Sequence, residues 1–213
     1  MITQTDSDSS TTTLFGQSNR HLADPEPWVV VPTGGGRDHY ISALCEIAPY
    51  RTVIVHTTAT EEDVLTPRYN AHQIRRPGEI NISRWWNEGL NYAASSRARY
   101  VCVVNDDVTL PKEGLLAMQR ALQETDGTLC MAFPHANMIT GWCWLLDLAH
   151  GIRPDERYRW FWGDVDIAER AGAGVRYAYT GAIHHHPNVL TEQDPALKAL
   201  AALDTERWER LHA

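Results

Sequence analysis

Tyr100-Val-Cys-Val-Val-Asn-Asp-Asp-Val108 begins as an unbroken apolar, mostly β-branched run and ends in two adjacent carboxylates. The run predicts a strand buried on both faces, because a half-solvated strand would alternate apolar with polar residues. In open α/β sheets, ligands bind beyond the carboxyl ends of the strands, and hard divalent cations take carboxylate oxygens. Asp106 and Asp107 would thus be delivered by a rigid element to the place where a ligand or cation sits. Asn-Asp-Asp is equally ordinary turn chemistry after a strand, so the flanking chain has to decide.

Just upstream, the stretch from Asn81 to Ala94 sets Ile82, Trp86, Leu90 and Ala93 at helical spacing, with Asn81 or Ser83 as the cap. The N-terminus of that helix projects Asn81, Ser83 and Arg84 toward the same sheet edge, where helix-end donors favour anions. Further back, Trp28-Val-Val-Val31 and Arg51-Thr-Val-Ile-Val-His56 read as buried strands. Between them lie the turn Pro32-Thr-Gly-Gly-Gly36 and a helix opened by Arg37-Asp38, which together make a βαβ unit and a parallel pair. The glycines match neither the Walker pattern nor G-x-G-x-x-G. Glu61 to Pro77 has no clean period, and Arg75-Arg76-Pro-Gly78 marks a loop. Downstream, a helix is predicted over Pro111 to Thr125, and strands over Thr128–Phe133, Gly141–Leu146, Val175–Tyr179 and Ile183–His186. A polar and aromatic segment, Gly151 to Asp166, leads into a helix ending at Ala171. The last helix is capped by Asp194, has Pro195 at its first position and is expected to break near Asp204-Thr205.

The chain has 213 residues, 43% of them hydrophobic, enough for one sizeable core and a single folded domain. A formal net charge of -8 argues against a broad nucleic-acid footprint but leaves room for a phosphate-bearing small ligand. Cys45, Cys102, Cys130 and Cys143 sit apart in apolar runs and read as reduced core residues of a cytoplasmic protein. No apolar run reaches transmembrane length. Residues 1–24, rich in Ser, Thr, Asp and Gln, read as a flexible tail. Residues 25–190 hold the folded domain and residues 191–213 a helical C-terminal extension.

In this order and spacing, the chain resembles the family-2 nucleotide-sugar glycosyltransferases with the GT-A fold. The parts that carry the resemblance are the opening Val-Val-Val-Pro-Thr strand, Asn81 with Asn87-x-Gly89, and the Asn105-Asp-Asp107 strand end. Gly151 with Asp155-Glu156, Trp162-Gly-Asp-Val-Asp-Ile-Ala-Glu-Arg170 and a final His after a short strand complete the set. The resemblance implies an α/β fold, a single Rossmann-like domain with a mostly parallel central sheet flanked by helices. It implies transfer of a sugar, with inversion, from a nucleoside-diphosphate sugar to an acceptor hydroxyl on a glycan or protein surface, with Mn²⁺ or Mg²⁺ as cofactor. Pro32, Thr33 and Arg84 match donor-pocket positions, and Arg37, Asn81, Asp106 and Trp162 are expected to join them. Asp107 matches the metal-binding carboxylate and Asp164 the catalytic base. One of three consecutive histidines matches the terminal metal or phosphate ligand. Extended, His184 and His186 share one face and His185 points the other way; His186 is expected first as the ligand and His184 second.

Trp160, Phe161 and Trp162 offer flat surfaces for a sugar ring, with core packing as the other reading, more so for Phe161 than for Trp162. The chain departs from the family pattern in two places: the second strand ends His56-Thr57-Thr58 without an acidic residue, and Gly163 replaces the usual glutamate of the late acidic pair. The rival readings are a nucleotidyltransferase and a non-catalytic nucleotide-sugar binding module. Assembly into a homo-oligomer stays open.

Overall fold

The structure, a computed structural model, describes residues 26–58, 69–132, 141–178, 183–186 and 193–213. Strand β1 (Trp28–Thr33), helix α1 (Asp38–Ile47) and strand β2 (Thr52–His56) form the expected parallel unit, in register from Val29 opposite Thr52 to Thr33 opposite His56. Strand β3 (His72–Arg75) pairs parallel to β2 at the sheet edge, and α2 (Ile82–Ser95) then leads into β4 (Tyr100–Val104). There follow β5 (Val108–Thr109), α3 (Lys112–Thr125), β6 (Leu129–Ala132), β7 (Cys143–Asp147), α4 (Gly163–Ala171), β8 (Val175–Ala178), β9 (His184–His185) and α5 (Pro195–His212).

The main sheet has seven strands in the order β3-β2-β1-β4-β7-β6-β8, and β5 and β9 form a separate two-stranded ribbon. Every pairing in the main sheet is parallel except those of β7, which runs antiparallel to β4 and to β6. This is a mostly parallel α/β domain, as the sequence predicts.

The two-sided burial of the strands divides their side chains between two cores. Val29, Val31, Cys102 and Val104 face Ile41 and Leu44 of α1 and Leu115, Met118 and Leu122 of α3. Val30, Val101 and Val103 face Trp85, Trp86 and Leu90 of α2 and Ile167 of α4. The side-chain period of two in a strand makes this division automatic once both faces are covered.

Two local expectations are corrected. His72–Arg75, where the sequence has no clean period and Arg75 is expected to open a loop, is a strand; only Ile74 in it is strongly apolar, and all four residues are half-buried at the sheet edge. The C-terminal helix does not break at Asp204-Thr205, because Asp204 is buried there and accepts hydrogen bonds from the backbone N–H of Trp160 at 2.7 Å and of Phe161 at 3.0 Å. The expected tail, residues 1–24, lies outside the described residues.

Candidate active site

The carboxyl ends of β1 and β4 lie side by side, because these strands are parallel neighbours. Thr33, the last residue of β1, donates its hydroxyl to Asp106 Oδ2 at 2.7 Å. Gly35 and Gly36 then take φ of 89° and 77°, a left-handed conformation that side chains resist. The chain emerges from that turn with Arg37 directed back at the strand ends. Arg37 Nη1 lies 2.5 Å from Asp106 Oδ1 and 3.3 Å from Asp107 Oδ2. The adjacent carboxylates are therefore bridged by one cation of the chain itself.

On the other flank, β9 lies antiparallel to β5 with His185 opposite Val108, and the His186 N–H donates to Asp107 O at 2.8 Å. This register aims the His185 ring at Asp107, with Nε2 3.4 Å from Oδ1. At that length the contact is longer than an ordinary hydrogen bond, and Asp107 Oδ1 is otherwise buried without a hydrogen-bond partner. The His185 ring also stacks on Trp142, with centroids 5.2 Å apart. Burial pushes the carboxyl of Asp107 up, but His185 and Arg37 outweigh it and hold the group below its ordinary value. At Asp106, burial outweighs Thr33 and Arg37 and the carboxyl is raised. Burial prevails at Asp106 and the His185 and Arg37 neighbours prevail at Asp107, so two sequential aspartates are shifted in opposite directions.

Asp164 reaches the same edge by another route. Strand β7 is antiparallel to β4, so its beginning lies at the end of β4, where the Asn105 N–H donates to Trp142 O at 2.9 Å. Gly141 directs its backbone N–H at the Asp164 carboxylate. The approach is so close that a Cβ on Gly141 would fall 2.5 Å from Asp164 Oδ2. Burial is the largest influence on Asp164 and raises its carboxyl, against the N–H groups of Val165 and Gly141. Gly163 packs on α2; a Cβ there would stand 2.8 Å from Ser83 Oγ.

A cleft of about 270 Å³ opens beside this cluster, at the ends of β1 and β2. The Thr33 to Gly36 turn, His56, Tyr69 and Gln73 contribute to its walls. His56 and Gln73 hydrogen-bond at 2.9 Å, and the Tyr69 hydroxyl donates to Asp38 Oδ1 at 2.7 Å. The volume approaches the lower end of the range for small-ligand sites, about 300–1,000 Å³.

Against solved structures, the chain is similar to residues 1–349 of TarS from S. aureus, with a TM-score of 0.54 at 13% identity over 74% of this chain and 58% of that one. It is also similar to a protein of Desulfovibrio desulfuricans G20 assigned as a nucleotide-diphospho-sugar transferase, with a TM-score of 0.49 at 13% identity over 72% of this chain and 80% of that one. No family model and no curated protein matches the sequence. The likeness to TarS is one of fold and agrees with the resemblance carried by the strand ends. The chain has a GT-A-type fold.

On this GT-A scaffold the residues expected at the site are placed unevenly. Thr33, Arg37, Asp106 and Asp107 are in direct contact, and Asp164 joins them at the sheet edge through Gly141 and Trp142. Pro32 is buried in β1 opposite Val55. Asn81 is buried with both ends of its amide engaged: Oδ1 accepts the Arg84 N–H at 2.9 Å as the helix cap, and Nδ2 donates to Glu156 O at 2.9 Å. Arg84 is half-exposed and pairs with Glu156 at 3.3 Å. His184 is exposed on β9, and His186 Nε2 hydrogen-bonds Thr109 at 3.0 Å, so it is His185 whose ring faces Asp107.

Trp162 stacks flat on Trp208 of α5, with centroids 4.8 Å apart, and donates Nε1–H to Thr205 at 2.9 Å. Phe161, 51% exposed, is the more accessible ring. Gln73, Gly141 and Asp204 carried no signal in the sequence. Each acts through a partner more than fifteen residues away in the chain, respectively His56, Asp164 and the backbone at Trp160 and Phe161.

Proposed function

We propose that the chain is an inverting glycosyltransferase that moves a sugar from a nucleoside-diphosphate sugar to an acceptor hydroxyl with the help of a divalent cation. What supports this reading is that the Asp106-Asp107 pair follows β4 while Asp164 packs on Gly141, next to the Trp142 whose carbonyl accepts from the Asn105 N–H, with a cleft of about 270 Å³ opening at the ends of β1 and β2. Asp107 and His185 would hold the cation: a buried carboxylate oxygen without a hydrogen-bond partner and an imidazole near it fit a hard or borderline ion. When bound, such an ion offsets charge developing on the departing diphosphate.

The acceptor oxygen attacks the anomeric carbon from the face opposite the diphosphate. As the new C–O bond forms, the bond to the phosphate oxygen breaks and its electron pair leaves with the diphosphate. The hydroxyl proton passes to the Asp164 carboxylate. A buried carboxylate with a raised pKa is the better proton acceptor, because its conjugate acid is less penalised by the site. Gly141 and Val165 N–H groups hold that carboxylate in one orientation.

A panel of nucleotide sugars and nucleoside triphosphates, assayed with Mn²⁺ for release of nucleoside diphosphate or of pyrophosphate, tests the reading. Release of diphosphate from one sugar donor is expected, and transfer in Asp164→Asn should fall by about 10²–10⁴-fold with nucleotide binding intact. Pyrophosphate release alone would make the chain a nucleotidyltransferase. Nucleotide-sugar binding with no turnover, or an Asp164→Asn protein as fast as the parent, would overturn the mechanism.

A further inference from the structure

We infer that Arg37 occupies the position of the divalent cation and has to leave before one can bind, so that the cation binds weakly alone and tightly together with a diphosphate. A single guanidinium nitrogen spans Asp106 Oδ1 at 2.5 Å and Asp107 Oδ2 at 3.3 Å, the place a cation shared by both carboxylates would take. The three side chains are 21%, 15% and 9% exposed, so water screens their charges little. Among the described residues no three His, Cys, Asp or Glu side chains converge on a metal. While Arg37 is in place, the protein still offers an incoming ion only Asp107 Oδ1, buried and without a hydrogen-bond partner, and the His185 imidazole 3.4 Å from it. Two donors are far short of the six or so that Mg²⁺ or Mn²⁺ takes. The guanidinium beside them repels a second cation as well.

A diphosphate removes both obstacles at once. Its oxygens supply the missing ligands, and a guanidinium pairs with phosphate in bidentate fashion better than with two splayed carboxylates. Arg37 can make that exchange without unwinding α1. It stands at the helix N-cap but makes no side-chain capping bond, and it follows two glycines in left-handed conformation. Binding of metal and of diphosphate is therefore cooperative, with Arg37 as the coupling element.

The diphosphate half of this inference rests on the proposed function; the metal half does not, and the experiment separates them. Mn²⁺ alone is titrated calorimetrically into the full chain, Arg37→Met, and Arg37→Met combined with Asp107→Asn, each shown to be folded by circular dichroism and thermal melting. Arg37→Met is expected to bind one Mn²⁺ at least about tenfold more tightly than the parent, and the added Asp107→Asn change is expected to abolish the gain. A folded Arg37→Met protein that binds Mn²⁺ no more tightly than the parent overturns the inference. Should that variant not fold, the parent decides: Mn²⁺ at tens of millimolar is expected to speed phenylglyoxal modification of Arg37, read by peptide mass, and an unchanged rate overturns the inference. UDP and GDP are then added to the parent and should raise its Mn²⁺ affinity. A gain in Arg37→Met with no nucleotide effect in the parent would keep Arg37 as the occupant of the cation position and reject the glycosyltransferase reading.

Discussion

At the residue scale, burial raises the carboxyl of Asp164 from its ordinary value of 3.8 even though Gly141 and Val165 direct N–H groups at it. The sign of the stability effect follows from linkage. A carboxyl whose folded pKa lies above its unfolded one binds protons more tightly in the folded state, so stability falls as pH rises through that window. Asp164→Asn removes the ionisation and its cost. Its thermal midpoint should exceed the parent's at about pH 8, and the gap should shrink toward about pH 4; a gap that widens on acidification would contradict the assigned burial. Gly141→Ala probes the same carboxylate from outside, because the added Cβ would meet Asp164 Oδ2 at 2.5 Å. Transfer should drop in that variant while nucleotide affinity, measured by calorimetry, stays near the parent value. The histidines show what one residue of register decides. Alternation along an extended segment was readable, but which face meets Asp107 depends on His185 standing opposite Val108. His185→Ala should therefore weaken Mn²⁺-dependent nucleotide binding, and His184→Ala should leave it unchanged.

At the element scale, α2 sits directly on β1 at Gly89, where a Cβ would fall 2.2 Å from Val30 Cγ1. Helix propensity alone predicts that Gly89→Ala stabilises by about 1 kcal/mol. Overpacking costs about 1–3 kcal/mol and is not relieved by a flexible neighbour, since Val30 is wholly buried in the central sheet. Overpacking should win: denaturant unfolding of Gly89→Ala should show a net loss, and Val30→Ala in the same protein should recover part of it. Helix α5 performs a different task. Asp204, 1% exposed, holds the Trp160 and Phe161 N–H groups, and Trp208 stacks between Trp162 and His212. The turn leading into Asp164 is thus fixed from the C-terminal helix. Asp204→Ala should cost about 2 kcal/mol, because two part-buried N–H groups lose their carboxylate acceptor, and should slow transfer along with it.

At the scale of the whole molecule, a seven-stranded sheet covered on both faces leaves no thiol accessible. All four cysteines are buried, and burial pushes Cys45 up to about 11 and Cys130 up to about 12. The thiolate is the reactive form, so iodoacetamide should label none of them in the native protein and all four after unfolding. Rapid labelling of any one in native conditions would show an opening of the sheet that the fold does not predict. No helix among the described residues is long and apolar enough to cross a membrane.

The sequence by itself determined the layered α/β plan, because uninterrupted runs such as Val29–Val31 and Val101–Val104 can be satisfied only by apolar cover on both faces. It also determined the candidate carboxylates, since Asp106-Asp107 and Asp164 stand where buried runs or aromatic turns give way to polar chain. Strand β3 was not legible: His-Gln-Ile-Arg has no apolar run, and its pairing comes from the exposed edge of β2. Only the tertiary structure decided that Arg37 bridges the carboxylates, that His185 faces Asp107 and that Gly141 supports Asp164. These contacts join segments distant in the chain, and their geometry depends on strand register and on the antiparallel insertion of β7, neither of which leaves a periodic signal in the residues involved.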